Sequence, residues 1–134
     1  MEKYIDIILK EAKKSLKSDD VPVGAIIVEK DKIIAKAHNT REKYTKITGH
    51  AEINAIEKAS KKKKTWHLSG CELYVTLKPC KMCIEAIKEA RIETVYYLID
   101  RTKKIKEKNI KIIKMNTVEN QEYILKKFFQ NKRK

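Results

Sequence analysis

Two short segments of this chain carry residues that bind transition metals, and together they constrain the fold. The first is His50-Ala51-Glu52, and the second is Pro79-Cys80-Lys81-Met82-Cys83. One imidazole and two thiolates supply three of the four ligands of a tetrahedral zinc ion, which leaves the fourth position to water. Glu52 is not needed as a ligand, so its carboxylate is free to carry protons. The sequence therefore predicts a fold that brings these two segments together around one metal.

The spacing of the two cysteines favours a site at the start of a helix. Cys80 and Cys83 are i and i+3, which places both sulfur atoms on one face of the first turn. Pro79 suits the first turn of such a helix because its missing N–H would be unpaired there in any case. The partial positive charge of a helix N-terminus lowers a cysteine pKa and favours the thiolate. The segment therefore predicts metal-binding thiolates at a helix start.

The histidine segment makes a similar prediction. His50 and Glu52 are i and i+2, and side chains at that spacing point apart in the middle of a helix. They converge only if His50 lies at the helix start, where the chain is still turning. Gly49 just before it, with Thr48 as a possible cap, favours this placement. Two helix N-termini would then meet around one metal ion.

A lone C-x-x-C has other interpretations, namely half of a structural zinc site or a redox pair. A structural zinc site is normally closed by a fourth side-chain ligand. The remaining candidates are His38, His67 and Cys71, and none of them forms a second C-x-x-C or H-x₃-H cluster. With Glu52 in its place, the pattern favours an open, catalytic zinc site.

The hydrophobic pattern predicts the element order α-β-β-α-β-α-β-β-α. The helices fall near 2–18, 50–60 and 80–90 and after 116, and the strands near 24–28, 33–37, 73–77, 95–99 and 110–114. Asn116 with Glu119 resembles a capping box for the last helix. This alternation predicts one α/β domain over residues 1–134, with a central sheet covered on both faces. The ten residues 100–109 leave the direction of the last strand open, because a parallel crossover takes a dozen or more.

Charge and cysteine content bear on the partners and on the compartment. The 134 residues carry a formal net charge of +14, which suits a polyanionic partner such as nucleic acid. The lysines are scattered through every segment, so compositional bias is an equally good explanation. The cysteine count is three, an odd number that favours reduced thiols. With an acid in the short apolar start and no apolar run of about 20 residues, we expect a cytoplasmic protein without a membrane span.

Beyond the metal motif, several segments resemble the tRNA-specific adenosine deaminases. The signature H-x-E with P-C-x-x-C is that of the zinc deaminases that act on nucleobases, so it is recognised here as a known pattern. The similarity extends over about residues 4–97 and returns weakly at Phe128-Phe129. It is carried by four segments: VPVGAIIV at 21–28, HNTRE at 38–42, HAEINAI at 50–56 and LYVTLKPCKMC at 73–83. The resemblance implies a three-layer α-β-α, cytidine-deaminase-like fold with a central mixed sheet of about five strands.

The same resemblance implies roles for individual residues. It assigns zinc (Zn2+) to His50, Cys80 and Cys83 as ligands, with Glu52 as the proton shuttle. Asn39 matches the family asparagine that contacts the flipped nucleotide, although an ordinary turn residue is an equally good interpretation.

Two further positions, Val23 and Pro79, match walls of the substrate pocket. Strand packing and the helix start explain these residues as well. The implied reaction is hydrolysis of adenosine to inosine in tRNA, at the wobble position of the anticodon loop, by a homodimer.

Two features depart from the family pattern. Lys78 stands before Pro79 where the family usually has glutamate, and residues 100–109 lack the longer glycine-containing loop that helps to hold RNA. One alternative function is therefore a deaminase of a free base, nucleoside or nucleotide of the guanine, cytosine, cytidine or dCMP type. Another is a zinc-stabilised RNA-binding protein without activity, against which Glu52 argues because a structural site has no use for it.

Overall fold

The helices and strands follow the order that the hydrophobic pattern predicts. The computed structural model describes residues 2–101 and 109–130. The helices are α1 (Glu2–Ser15), α2 (Arg41–Tyr44), α3 (Ala51–Lys63), α4 (Lys81–Glu89) and α5 (Glu119–Gln130). The strands are β1 (Gly24–Glu29), β2 (Lys32–His38), β3 (Cys71–Leu77), β4 (Thr94–Ile99) and β5 (Lys111–Lys114). The short α2 and a 3₁₀ turn over Leu16–Ser18 were not predicted. None of these described helices is long and apolar enough to cross a membrane.

The five strands form one mixed sheet in the order β2-β1-β3-β4-β5. β1 is antiparallel to both β2 and β3, while β3, β4 and β5 run parallel. The last strand, whose direction the sequence left open, is therefore parallel to its neighbour. β1 and β2 are joined by Lys30 and Asp31, whose φ angles of 48° and 64° are those of a tight two-residue hairpin turn.

Helices cover both faces of the sheet, which confirms the predicted three-layer fold. Side chains alternate along a strand, so Ala25 and Ile27 of β1 face one core while Ile26 and Val28 face the other. α3 and α4 cover the first core, and α1 and α5 cover the second. α3 packs closely on the sheet because its inward face is made of small side chains, namely Ala51, Ala55 and Ala59.

On the opposite face, α1 lies directly against the backbone of β1 at Gly24. A Cβ at this position would lie 2.1 Å from the Ile8 carbonyl oxygen and 2.6 Å from the Ala12 nitrogen. The Gly24 N–H also donates to Thr76 Oγ1 of β3 at 3.1 Å. Only glycine allows this approach of helix and strand, and it fixes the height at which α1 packs on the sheet.

The start of α5 differs from the prediction. The expected capping box of Asn116 and Glu119 is wrong, because the helix begins at Glu119 itself. The reciprocal part of such a box is made by Gln121, whose Oε1 accepts from the Val118 N–H at 3.0 Å. The Gln121 amide also donates to Asp6 Oδ1 at 2.9 Å. This partly buried contact ties α5 to α1.

The outer edge of β2 is occupied by side chains of α3. Asn54 Nδ2 donates to the His38 carbonyl at 2.9 Å, and Lys58 Nζ donates to the Lys36 carbonyl at 2.9 Å. Lys36 and His38 are two residues apart in β2, so their carbonyls point to the same side of this edge strand, away from β1. α3 is thereby fixed to the last part of β2.

Candidate active site

His50 lies at the N-cap of α3, with extended backbone angles of φ −77° and ψ 144°. The prediction that it starts the helix is confirmed, although the cap is His50 itself and not Thr48. Residues at this position usually bond their side chain to the first helical N–H groups. His50 makes no such bond, so its imidazole is available for another ligand.

Cys80 occupies the corresponding N-cap of α4, with φ −75° and ψ 172°, and it also makes no side-chain cap bond. Cys83 lies in the first turn and is fully buried. Pro79 was expected in the first turn of the helix. It is buried and lies one residue before the cap, and therefore outside that turn. The sheet places this turn beside α3, so the two helix starts that the sequence predicts do meet.

The three side chains form a compact triad. His50 Nδ1 lies 3.4 Å from Cys83 Sγ and 3.9 Å from Cys80 Sγ, and the three atoms are all within 4.8 Å of one another. Zinc bonds of about 2.3 Å to sulfur and 2.0–2.1 Å to nitrogen, at a tetrahedral angle, would separate the nitrogen from each sulfur by about 3.6 Å. The observed distances bracket this value, so the residues fit a tetrahedral metal with one position left open.

The protonation of the triad also favours a cation. The pKa of Cys80 is lowered to about 3. The largest cause is a hydrogen bond from Cys83, and the second is a hydrogen bond from His50. The pKa of Cys83 is raised, because this thiol donates to Cys80 and is buried. The thiolate form of Cys80 is thus favoured, and a divalent ion would favour loss of the Cys83 proton as well.

Glu52 follows two residues after His50 and is 2% exposed. Burial raises the pKa of its carboxyl group, and the Cys80 thiolate acts in the same direction, whereas the charges of His50 and Arg101 oppose them. A hydrogen bond with Glu52 contributes to the raised pKa of Cys83, which places the carboxyl group beside the triad. A buried carboxyl group with a raised pKa is suited to accept and return protons near neutral pH.

Asn39 holds the start of α3 in place. Its Oδ1 accepts from the Ala51 N–H at 2.7 Å, so it caps the helix that carries His50 and Glu52. Its backbone N–H donates to the carbonyl of Val23, a buried core residue, at 3.0 Å. Among the described residues, no hydrogen-bond partner is found for the Asn39 amide nitrogen. This atom is not fully buried. Val23 and Asn39 therefore both support the loop that leads into the site.

Asp20 fixes the segment between Asn39 and His50. Its carboxylate accepts from the N–H groups of Glu42 and Lys43 at 2.7 and 3.3 Å, and from the Ser18 hydroxyl at 2.6 Å. It thereby caps α2 from outside the helix. Burial raises the pKa of Asp20, but these hydrogen bonds outweigh it and hold the pKa below its ordinary value. No local pattern indicated this role, because the capped N–H groups of Glu42 and Lys43 are 22 and 23 residues away along the chain.

Arg101 is a charged residue near the site that sequence reasoning missed. Its Nε donates to the Lys78 carbonyl at 2.6 Å, just before Pro79 and Cys80. Lys78 turns its ammonium group over the Tyr97 ring, 5.5 Å from the ring centre. The cation of Lys78 thus rests on an aromatic face. The position of Arg101, two residues after the carboxyl end of β4, was the signal that could have identified it.

Comparison with known proteins gives consistent matches. Residues 1–99 match the model of the cytidine and deoxycytidylate deaminase zinc-binding region. The chain is 48% identical over 96 residues to a tRNA-specific adenosine deaminase of Aquifex aeolicus (strain VF5), covering 72% of this chain and 64% of that protein. It is 45% identical to the protein of the same name from Bacillus subtilis (strain 168), covering 72% of this chain and 60% of that protein. The chain thus spans less than two thirds of the length of these curated relatives.

Solved structures with the same fold include two types of deaminase. One comes from biochemical and structural studies of A-to-I editing by tRNA:A34 deaminases at the wobble position of transfer RNA. It has a TM-score of 0.77 and 29% identity, and covers 84% of this chain and 97% of its own. Guanine deaminase from Bacillus subtilis has a TM-score of 0.70 and 27% identity, and covers 98% and 92% of the two chains.

Proposed function

This chain belongs to the cytidine and deoxycytidylate deaminase zinc-binding family, and from that membership we propose that it converts adenosine to inosine in tRNA by hydrolysis. The observation that carries the proposal is the position of buried Glu52 beside the triad of His50, Cys80 and Cys83. A triad with one open position and an adjacent proton carrier is the arrangement needed to add water to a nucleobase.

The triad residues are the proposed zinc ligands. Zinc bound there would supply a Lewis acid that makes water a nucleophile at neutral pH. The protein's contribution is to hold His50 and Cys80 at two helix N-caps, so that three donor atoms converge. Elemental analysis should find one zinc per chain in protein that is purified without chelators, and protein without zinc would contradict this assignment.

Glu52 carries the protons of the reaction. It takes one proton from the attacking water and delivers it to the ring nitrogen next to C6 of adenine as the new C–O bond forms. It then takes the second proton of the added water, which is now the hydroxyl proton at C6, and transfers it to the amino group. The amino group leaves as ammonia when the C–N bond breaks. Its buried position excludes bulk water from both transfers, and general acid–base help of this kind is typically worth about 10²–10⁴-fold in rate.

The names of the relatives support tRNA as the substrate, with the wobble adenosine as the target. A deaminase must take its target base out of the stack, and a base in an anticodon loop costs less to extrude than a paired base. Asn39 is the proposed contact to the flipped nucleotide through its amide nitrogen, with Val23 and Pro79 in the pocket wall. We also propose that the enzyme acts in the cytoplasm as a homodimer, which the resemblance implies.

A second candidate is deamination of a free base. The observation in its favour is the similarity to guanine deaminase, which extends over 98% of this chain. The two functions are separated by incubating the protein with an anticodon stem-loop that has adenosine at the wobble position, and with free adenosine, adenine, guanine and cytidine. Mass spectrometry should detect inosine in the RNA. A stem-loop with the same adenosine placed in the stem is the matched control, and it should remain unmodified.

Turnover of a free compound with none on the stem-loop would move the protein to the small-molecule branch of the family. A complete lack of turnover, with zinc and RNA both bound, would favour a non-enzymatic RNA-binding role.

A further inference from the structure

A groove rich in lysine lies beside the candidate active site, between α2, α3 and the end of β2. It encloses about 270 Å³. Four polar or small side chains form its inner part: Ala37, His38, Thr40 and Asn54. Four exposed lysines surround them: Lys43, Lys46, Lys58 and Lys61. Tyr44 and Glu57 complete the lining. We call this feature the lysine groove.

The positive charge of the groove is only partly compensated by its own lining. Across residues 2–101 and 109–130, none of the four lysines forms an ion pair with a carboxylate, and Glu57 is the only acid in the lining. Lys58 uses one of its three N–H groups on the Lys36 carbonyl, and Lys43 lies over the Tyr44 ring. A concave surface with this charge concentrates the field and attracts anions.

The inner part of the groove adds a donor of the right kind. The Thr40 hydroxyl accepts a hydrogen bond from Asn54 Nδ2 at 2.9 Å, and it donates to no acceptor among the described residues. Hydroxyl and ammonium groups around a small cavity suit an anion with several acceptor oxygens. The chemistry that matches is that of a phosphate.

The groove is aligned with the candidate site. Thr40 follows Asn39 directly, and Asn54 is one turn after His50 on the same helix. Because an α-helix rises 1.5 Å per residue, Lys58 and Lys61 lie about 12 and 16 Å along α3 from its start at His50. A stacked nucleic-acid strand advances about 3.4 Å per nucleotide. These lysines are therefore in reach of phosphates roughly three to five nucleotides from a base in the site.

We propose that the lysine groove binds backbone phosphates of the RNA substrate several nucleotides away from the deaminated base. The proposal rests on the proposed function for the identity of the ligand, but it makes a separate claim about where the strand runs. The groove lies on the β2 side of the sheet, and β4 and β5 lie toward the other. RNA would thus be held from the side opposite to these two strands.

The test uses the double variant Lys46→Gln/Lys61→Gln, which leaves Lys58 in place on the edge of β2. The control is Lys10→Gln/Lys13→Gln on α1, which removes the same charge at two exposed positions. Binding of an anticodon stem-loop and of a trinucleotide centred on the target adenosine is measured by fluorescence anisotropy at several salt concentrations.

A plot of the logarithm of the binding constant against the logarithm of the salt concentration has a negative slope. Loss of two phosphate contacts should reduce the size of this slope by about 1.4–1.8 and weaken stem-loop binding about 10- to 30-fold at 0.15 M salt. Binding of the trinucleotide should stay within about twofold, because it does not reach the groove, and the control variant should bind the stem-loop within about threefold of the parent.

Three results would overturn the proposal: unchanged stem-loop binding by the groove variant, an equal loss in the control variant, or an equal loss on the trinucleotide. A change in oligomeric state of the groove variant in sedimentation would identify the groove as a protein interface and would also overturn it. Inosine formation is measured in the same samples. RNA that is bound normally by the parent protein but never deaminated refutes the proposed function and leaves the binding test valid.

Discussion

Asn39 offers a test that separates a structural role from contact with the substrate. Its carbonyl oxygen caps α3 by accepting from the Ala51 N–H at 2.7 Å, while its amide nitrogen is the proposed donor to the flipped nucleotide. The substitution Asn39→Ala removes both groups. Asn39→Asp keeps an oxygen for Ala51 but has no N–H to donate. The two variants therefore divide the functions of one side chain.

The expected stabilities follow from the buried cap. Asn39→Ala leaves the N–H of buried Ala51 without a partner, which should lower the free energy of unfolding by about 1–3 kcal/mol. Asn39→Asp places a negative charge at a helix N-terminus, where it is worth about 0.3–1 kcal/mol. This variant should therefore unfold within about 1 kcal/mol of the parent protein.

The catalytic effects should differ from the effects on stability. If the amide of Asn39 binds the substrate, Asn39→Asp should lower kcat/KM by about 5- to 150-fold, which corresponds to the 1–3 kcal/mol of leaving one acceptor unpaired. Stability is measured by urea unfolding and turnover by inosine formation, the latter across pH so that a change in the pKa of Glu52 is recognised. Parent-like turnover by Asn39→Asp would refute the substrate contact. A fully stable Asn39→Ala would refute the capping argument.

Three further substitutions test other parts of the structure. Glu52→Gln should keep zinc and RNA affinity while turnover falls by at least about 10²-fold, and near-normal inosine formation would rule out the proton-carrier role. Gly24→Ala should lower the free energy of unfolding by at least about 2 kcal/mol, because its Cβ meets the α1 backbone at 2.1 Å; an unchanged urea midpoint would contradict this rigid contact. The pKa of Asp20 is lower in the folded than in the unfolded state, so its carboxylate stabilises the fold above about pH 4 and this contribution is lost as the pH falls further. The free energy of unfolding of the parent and of Asp20→Asn is measured at several pH values, and the difference between them should shrink below about pH 4. A difference that stays constant would refute the stabilising role of the Asp20 carboxylate.

The proposed metal site was predictable because its geometry is local. Cys80 and Cys83 lie on one turn, and His50 needed only a helix start beside Gly49, so spacing alone placed each residue within its own segment. The layered arrangement that brings the segments together followed from the alternation of helices and strands, although the order of the strands in the sheet and the direction of β5 did not. The short connection at 100–109 is compatible with either direction, and only the pairing of β5 with β4 decides it.

Other features depended on contacts that no local pattern encodes. The cap of α3 is supplied by Asn39 from twelve residues away, and Gln121 is fixed by Asp6 across 115 positions. The predicted capping box at Asn116 was a reasonable local pattern, but the reciprocal bond of the cap is made by Gln121. Arg101 carried no motif at all. Sequence patterns therefore identified the chemistry, whereas long-range contacts determined how it is positioned.

The side chains that seal the edge of β2 also affect how the protein behaves at high concentration. An exposed edge strand presents unpaired N–H and C=O groups that can template strand addition and aggregation. Asn54 and Lys58 occupy two of the carbonyls on this edge, and the charge of Lys58 further opposes the approach of another strand. At the other edge, the four-residue β5 begins and ends with lysine. We therefore expect the lysines at the two edges, Lys58, Lys111 and Lys114, to oppose the growth of this open sheet into an intermolecular one, a role that is independent of RNA.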